Sequence, residues 1–344
     1  MKPLLSICIP TYNRGAFIGE TLESVISQAT DEVEIVVSDN ASQDDTRQIV
    51  ESFRDRFPRI TYFRWPENMG ADRNFLKVVE LAKGEYCWFM GSDDIAEQGA
   101  VIQILASLKK FENIAGMSLN IYGYSPDMSH RIVTRPITGG KLKSTVLLNG
   151  CEEIFSILGD YFGYIAGQVV NKSLWDEIIT EYELSSFYNA YIHIYVIGRM
   201  LQKKPCWLYV HDKCVGWRSG NDSFLTEGRL RRLRIDVEGY EKIAAALFGK
   251  FSRPYGALLS TVSTVHVRYA VMGAKLDGLP VVFFMKAFSM CLRTYWMLPK
   301  FWLITVPVFA VPSLAFRAAR KAYRLTMKKL IKKYRGHSFG CHTA

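Results

Sequence analysis

Two adjacent carboxylates, Asp93 and Asp94, follow directly on the apolar run Tyr86–Met90. A strand leading into such a pair would set oxygen donors at the carboxyl end of a sheet, where open α/β sheets bind their ligands. Hard cations such as Mg²⁺ or Mn²⁺ take carboxylate oxygens and complete their shell with water and phosphate. The pair therefore predicts a divalent cation carrying a diphosphate. Taken alone, two acids in a loop more often make a solvated turn or a helix cap. Three further segments shift that balance. Pro10-Thr11-Tyr12-Asn13-Arg14 offers an aromatic face for a base and a guanidinium for phosphate. Asp39 can accept a hydrogen bond from a base or ribose edge. Asn68-Met69-Gly70-Ala71-Asp72-Arg73-Asn74 supplies a glycine turn and polar groups at a helix start, suited to gripping a nucleotide.

The elements that must position these residues alternate at the spacing of βαβ units. Leu4–Ile9, Val33–Val37, Ile60–Phe63 and Tyr86–Met90 read as strands, each ending just before one of the four polar segments. Between them, Phe17, Leu22, Val25 and Ile26 form a helical stripe. Asp44 and Asp45 are expected to open a helix running to about Phe57, and another spans about Asp72 to Ala82 before Gly84. A doubly wound, mainly parallel α/β sheet flanked by helices is the expected fold, with the four polar segments along one edge. After Phe111 the segments lengthen and become rich in Tyr, Phe and Gly, as in Ile114–Tyr124, Gly150–Leu158 and Tyr161–Val170. This half is expected to continue the sheet and bind a second substrate, its aromatic residues serving mainly as core. The expected division is 1–112, 113–228, a helical 229–280 and an apolar and basic 281–344.

The net charge of +10 over 344 residues suggests nucleic acid until its distribution is counted. No Asp or Glu follows Asp277, and twelve of the 43 Lys and Arg lie from Lys286 to Arg335, leaving 31 bases against 33 acids in residues 1–277. The body is near neutral, so an anionic membrane surface fits the basic end better than a duplex. Phe301–Phe316 carries no charge but contains Pro307 and Pro312, and as a helix it would span only about 24 Å, which argues against a single clean transmembrane helix. Beyond it, Arg317, Lys321, Arg324, Lys328, Lys332 and Arg335 recur every three or four residues. Phe316, Ala319, Tyr323, Met327, Leu330 and Tyr334 do so on another face. This predicts a basic amphipathic helix lying in the headgroup region, with Trp296 and Trp302 as interfacial anchors, or else a helix packed on the body. Seven cysteines without a C-x-x-C pair argue against a disulfide framework or zinc site. No signal-peptide pattern follows Met1, so a cytoplasmic protein at the inner membrane face is expected.

The opening Ser6 to Arg14, Val37 to Ser42, Asn68 to Asn74 and Ser92-Asp93-Asp94 together resemble the family-2 glycosyltransferases of the GT-A fold in order and spacing. Arg73-Asn74-Phe75-Leu76, Gly84 to Trp88, Gly91 to Asp94 and Gly220 to Phe224 are most similar to the abequosyltransferase and O-antigen branch. The resemblance implies inverting transfer of a sugar from a nucleoside diphosphate sugar to a hydroxyl of a polyprenyl-diphosphate-linked oligosaccharide. By position, Thr11, Tyr12 and Asp39 would hold the nucleoside with Pro10, Asn68, Asp72 and Ser92 around it. Arg14 and Arg73 would lie near, and Asp93, with Asp94, would hold Mg²⁺ or Mn²⁺. Gly91 stands where many relatives have an acid.

Inversion also needs a general base. The stretch where relatives carry an acidic pair reads Tyr188 to His193 and has no acid, leaving His193 as candidate and Asp222 as runner-up. Arg218 is a further candidate for the diphosphate. A nucleotidyltransferase shares the α/β sheet and metal-bound nucleotide, but its glycine-rich basic loop is missing after the first strand. A degenerate transferase acting as a membrane-docked binding protein is the non-enzymatic alternative.

Overall fold

In the computed structural model, residues 2–134 and 136–323 are described. The chain runs β1 (Leu5–Thr11), α1 (Gly15–Ile26), β2 (Val33–Asp39), α2 (Thr46–Arg54), β3 (Ile60–Arg64), α3 (Ala71–Glu80) and β4 (Tyr86–Phe89). A two-residue β5 (Ile95–Ala96), α4 (Ala100–Lys110), β6 (Gly116–Tyr124), β7 (Arg131–Ile132), β8 (Val146–Asn149) and α5 (Cys151–Leu158) follow. Next come β9 (Gln168–Asn171), α6 (Lys172–Glu181), α7 (Ile192–Lys203) and the long β10 (Cys206–Arg218). The remaining helices are α8 (Arg229–Phe248), α9 (Arg253–Val262), α10 (Arg268–Leu276), α11 (Val281–Tyr295) and α12 (Val306–Ala310).

The strands form one mixed ten-stranded sheet ordered β3-β2-β1-β4-β9-β6-β10-β5, with β7 on β6 and β8 on β10. The first four pair in parallel, as the alternating strand and helix pattern predicts. Leu5 and Val33 stand opposite each other, as do Thr11 and Asp39, so the ends of β1 and β2 deliver their polar residues level with one another. β1 and β2 are buried along their whole length, which is why they read as continuous apolar runs rather than alternating ones. Past β4 the direction changes: β9 runs antiparallel to both β4 and β6, and β10 parallel to β6. Register shifts within β10 between Val210 and Val215 carry its last residues across to β5, immediately after the acid pair.

The chain divides into two compact units, one of Met1–Thr226 with Gly239–Leu258 and one of Glu227–Glu238 with the chain from Leu259 onward. The first holds the sheet. In the second, short π-helical turns at Ser263–Val267 and Phe301–Thr305 meet through Thr305 Oγ1, which donates to the Ser263 carbonyl at 2.9 Å. Buried Lys275 caps the α12 segment, its Nζ donating to the carbonyls of Phe309 at 3.2 Å and Val311 at 2.6 Å. No single described helix is long and apolar enough to cross a membrane. Phe301–Ala310 and Ser313–Tyr323 meet that test only as a pair bent by 96°. The amphipathic pattern is helical from Ser313 to Tyr323; Arg324 to Arg335 lie outside the described residues.

Candidate active site

The ends of β1 and β2 are locked together before any ligand is considered. Asn13 N donates to Ser42 Oγ at 2.8 Å, Arg14 N to Thr46 Oγ1 at 3.0 Å and Gly15 N to Asp44 Oδ2 at 2.8 Å. The helix expected to open at Asp44 and Asp45 begins at Thr46 with Asp45 as its N-cap, and Asp44 serves both elements, Oδ1 accepting from Thr46 N at 3.1 Å and Oδ2 from Gly15 N. Asp39 is wholly buried: Oδ1 accepts from Ser42 N at 2.8 Å, Oδ2 from the Tyr62 hydroxyl at 2.6 Å, and Arg64 lies 3.9 Å away. Thr11 is buried with its Oγ1 unmet by any hydrogen bond, whereas Tyr12 is 42% exposed, a free aromatic face at the strand end. Pro10 and Ser92 are buried.

Asn74 ties the next strand to this edge, its Nδ2 donating to the carbonyls of Ser38 at 2.9 Å and Thr11 at 3.3 Å. Asn68 shapes the loop ahead of α3, accepting from Gly70 N at 2.9 Å and Asn40 Nδ2 at 2.7 Å; Gly70 itself sits at φ +85°, a conformation side chains resist. Asp72 belongs to the framework and not to a ligand. Its two oxygens accept from Ala190 N at 2.7 Å and Ile192 N at 3.0 Å, satisfying the start of α7. Its neighbour Arg73 is exposed, with its guanidinium 5.6 Å from the Tyr188 ring.

The acid pair lies in the turn between β4 and β5. Asp94 is buried and its oxygens are taken, Oδ2 by the Tyr164 hydroxyl at 2.6 Å and Oδ1 by Arg218 N at 3.0 Å. Burial first, and then the charge of Asp93, push its carboxyl up to about 7. Asp93 is partly exposed. Burial raises its carboxyl too, opposed by the positive charge of Arg14, a hydrogen bond from Asn221 and the charge of Arg218. Asn221 Nδ2 donates to Asp93 Oδ2 at 2.5 Å, and Arg14 reaches Asn221 Oδ1 and its carbonyl, each at 3.1 Å. A Cβ on Gly91 would stand 2.7 Å from Asp94 Oδ2 and 3.3 Å from Asp93 Oδ1, so a side chain there would have to displace the carboxylates of the turn.

Three further expectations change. Arg218 is not free for a diphosphate: Nε donates to the Asp93 carbonyl at 2.8 Å, Nη1 to the Pro126 carbonyl at 2.9 Å and Nη2 to Glu20. It holds the acid turn in place. His193 is 1% exposed within α7, with Nε2 donating to the Phe162 carbonyl at 3.0 Å and Nδ1 buried without a partner. Desolvation lowers its imidazole to about 4, so it stays neutral in the core and cannot reach an acceptor hydroxyl. Asp94 offers no open oxygen, which leaves Asp93 as the carboxylate suited to a cation. Among the described residues no group of three or more His, Cys, Asp or Glu converges to hold a metal. One accessible carboxylate with the balance from water and ligand phosphates is the donor set Mg²⁺ accepts, so the site fits such an ion when a diphosphate comes with it.

Asp222 is exposed beside Asn221, its Oδ1 accepting from Phe224 N at 2.9 Å. Asn221 enters the sequence reading only within the Gly220–Phe224 stretch, without a role of its own, and Tyr164 has none there. Asn221 had a usable signal, a polar pair after Gly220 shortly beyond a strand. Tyr164 had none, sitting in an aromatic stretch indistinguishable from core.

The mixed sheet, with an acid turn after its fourth strand and polar residues at the ends of β1 and β2, has the GT-A-like fold. Glycosyl transferase family 2 matches residues 6–154. The abequosyltransferase RfbV of Salmonella typhimurium is 33% identical over 260 residues, 72% of this chain and 76% of that protein. The chain belongs to family 2 and is a glycosyltransferase drawing on a nucleotide sugar. Its fold is shared with S. aureus TarS 1-349 in complex with UDP-GlcNAc, at TM-score 0.63 and 16% identity over 95% of this chain and 92% of that one. The mannosyltransferase PcManGT from Pyrobaculum calidifontis, in complex with GDP-Man and Mn²⁺, superposes at 0.54 with 15% identity over 94% and 88%. Family membership leaves the nucleotidyltransferase reading without support.

Proposed function

We propose that this chain is an inverting, metal-dependent transferase. It moves a deoxysugar of the abequose type from a cytidine diphosphate sugar to a polyprenyl-diphosphate-linked oligosaccharide during cell-surface polysaccharide synthesis. The carrying observation is the 33% identity to an abequosyltransferase, which runs over 260 residues and therefore past the nucleotide half. Exposed Tyr12 covers the base and the unmet Thr11 Oγ1 meets the nucleoside. Asp93 holds Mg²⁺ or Mn²⁺; when bound, the ion offsets charge developing on the leaving diphosphate. Arg14 and Arg73 add positive charge to the same edge.

Asp222 acts as general base. It takes the proton of the acceptor hydroxyl as that oxygen bonds to the anomeric carbon, opposite the bond that breaks to the diphosphate, and the configuration inverts. The apolar and basic chain after Val281 sets the enzyme on the cytoplasmic membrane face, where a lipid-linked acceptor is presented. To test this, the full chain is incubated with Mg²⁺ or Mn²⁺, membrane lipid extract and radiolabelled CDP-, UDP-, GDP- or dTDP-sugars. Label from a CDP-deoxysugar in the butanol-soluble fraction is the expected result. Transfer only from another nucleotide overturns the donor assignment, and label in no lipid fraction overturns the reaction.

A further inference from the structure

The second unit carries a groove of about 430 Å³ whose chemistry is unlike that of the nucleotide edge. One wall is Leu230, Arg234 and Glu238, spaced four apart on one face of α8; the other is formed by α11, including Lys286, Ser289 and Arg293. Arg234 is already engaged, 3.6 Å from Glu238. Lys286 and Arg293 form no ion pair among the described residues, and Glu238, the carboxylate in the same lining, is paired with Arg234. Two cations without an ion pair therefore line the groove together with Ser289, Thr294 and the apolar Leu230, Met285 and Met290.

The surroundings identify the anion's source. α11 buries Phe283, Ala287, Cys291 and Tyr295. Its outward face interleaves the same cations with exposed carbon: Val281 at 73%, Met285 at 66% and Trp296 at 58%. Exposed Met297, Trp302 and Leu303 continue it. A soluble phosphate needs cations alone, whereas large apolar groups between cations match a surface whose charge stands on hydrocarbon.

We infer that this groove seats the headgroup phosphate of an anionic membrane phospholipid, with Lys286 and Arg293 meeting the phosphate and Met285 and Trp296 lying among the upper acyl carbons. The inference rests on the membrane association proposed above and moves its specificity from the charged tail to one groove. The test is co-sedimentation of the full chain with phosphatidylcholine vesicles, with and without phosphatidylglycerol. Wild type is expected to partition onto the anionic vesicles, and the double variant Lys286→Gln/Arg293→Gln to lose about thirtyfold of that partition. Its Tm and its weak binding to neutral vesicles should be unchanged. Lys286→Gln alone should lose about fivefold and Lys286→Arg almost nothing.

Equal loss in a tail variant, Lys328→Gln/Lys332→Gln, with the groove variants binding like wild type, overturns the groove and leaves membrane association standing. Failure of wild type to bind either vesicle overturns both. Release from anionic vesicles by inorganic phosphate, but not by chloride at equal ionic strength, assigns the groove to a soluble anion and also overturns the inference.

Discussion

Asn221 donates to Asp93 Oδ2 at 2.5 Å while its own Oδ1 accepts from Arg14 at 3.1 Å. One amide thus spans the carboxylate proposed to hold the cation and the guanidinium proposed to lie near the diphosphate. Replacing it with Ala frees both groups. Asn221→Ala is expected to raise the metal concentration for half-maximal activity several-fold with a smaller change in kcat, measured by titrating Mn²⁺ at saturating donor.

Asp93 is the one carboxylate of the acid turn with exposed surface. Asp93→Asn should lower kcat at least about a hundredfold, with a urea midpoint close to wild type because no buried partner is stranded. Activity within a few-fold of wild type at low metal would rule out its assignment.

Gly91→Asp would place a third acid in the turn and should harm the protein. Its Cβ would meet Asp94 Oδ2 at 2.7 Å, and its charge would join two carboxylates already disfavoured by burial. A loss of at least about 2 kcal/mol in unfolding free energy is expected, the scale of overpacking combined with like-charge crowding. Circular dichroism during urea unfolding reads it.

Arg218→Ala strands the carbonyls of Asp93 and Pro126 and should cost about 2–4 kcal/mol. Because the guanidinium positions the turn and contacts no substrate in the proposed mechanism, Arg218→Lys should recover part of the stability while kcat stays low.

His193 separates the two base candidates. His193→Gln should keep near-normal turnover at pH 7, whereas Asp222→Asn should lose about a hundredfold or more. The imidazole also makes the fold acid-sensitive. The unfolded side chain takes a proton near 6.5 and the folded one only near 4, so between those values the unfolded chain binds more protons. Stability is therefore complete above about pH 6.5 and falls on acidification, by about 3 kcal/mol at pH 4. Comparing urea midpoints at pH 7 and pH 5, the Gln variant should show the smaller drop.

The parallel half of the fold is legible in the sequence because β1, β2 and β4 are buried on both faces and read as unbroken apolar runs ending in polar residues. The location of the acid turn followed from the end of β4. What a single residue does there was not legible, since it is set by partners far along the chain. Arg218 meets Asp94 across 124 positions, and Asp72 meets Ala190 across 118. No local pattern distinguishes an arginine aimed at a diphosphate from one aimed at three carbonyl and carboxylate oxygens. His193 illustrates the same limit, since its suitability as a base depends on burial that only packing against Phe162 reveals.

The bond from Arg14 to Asn221 joins residues made 207 positions apart. During synthesis, the parallel strands β1 to β4 are thus made well before the amide that joins Arg14 to Asp93. The residue that ties the two ends of the site together lies just past β10, the last strand of the sheet to be made.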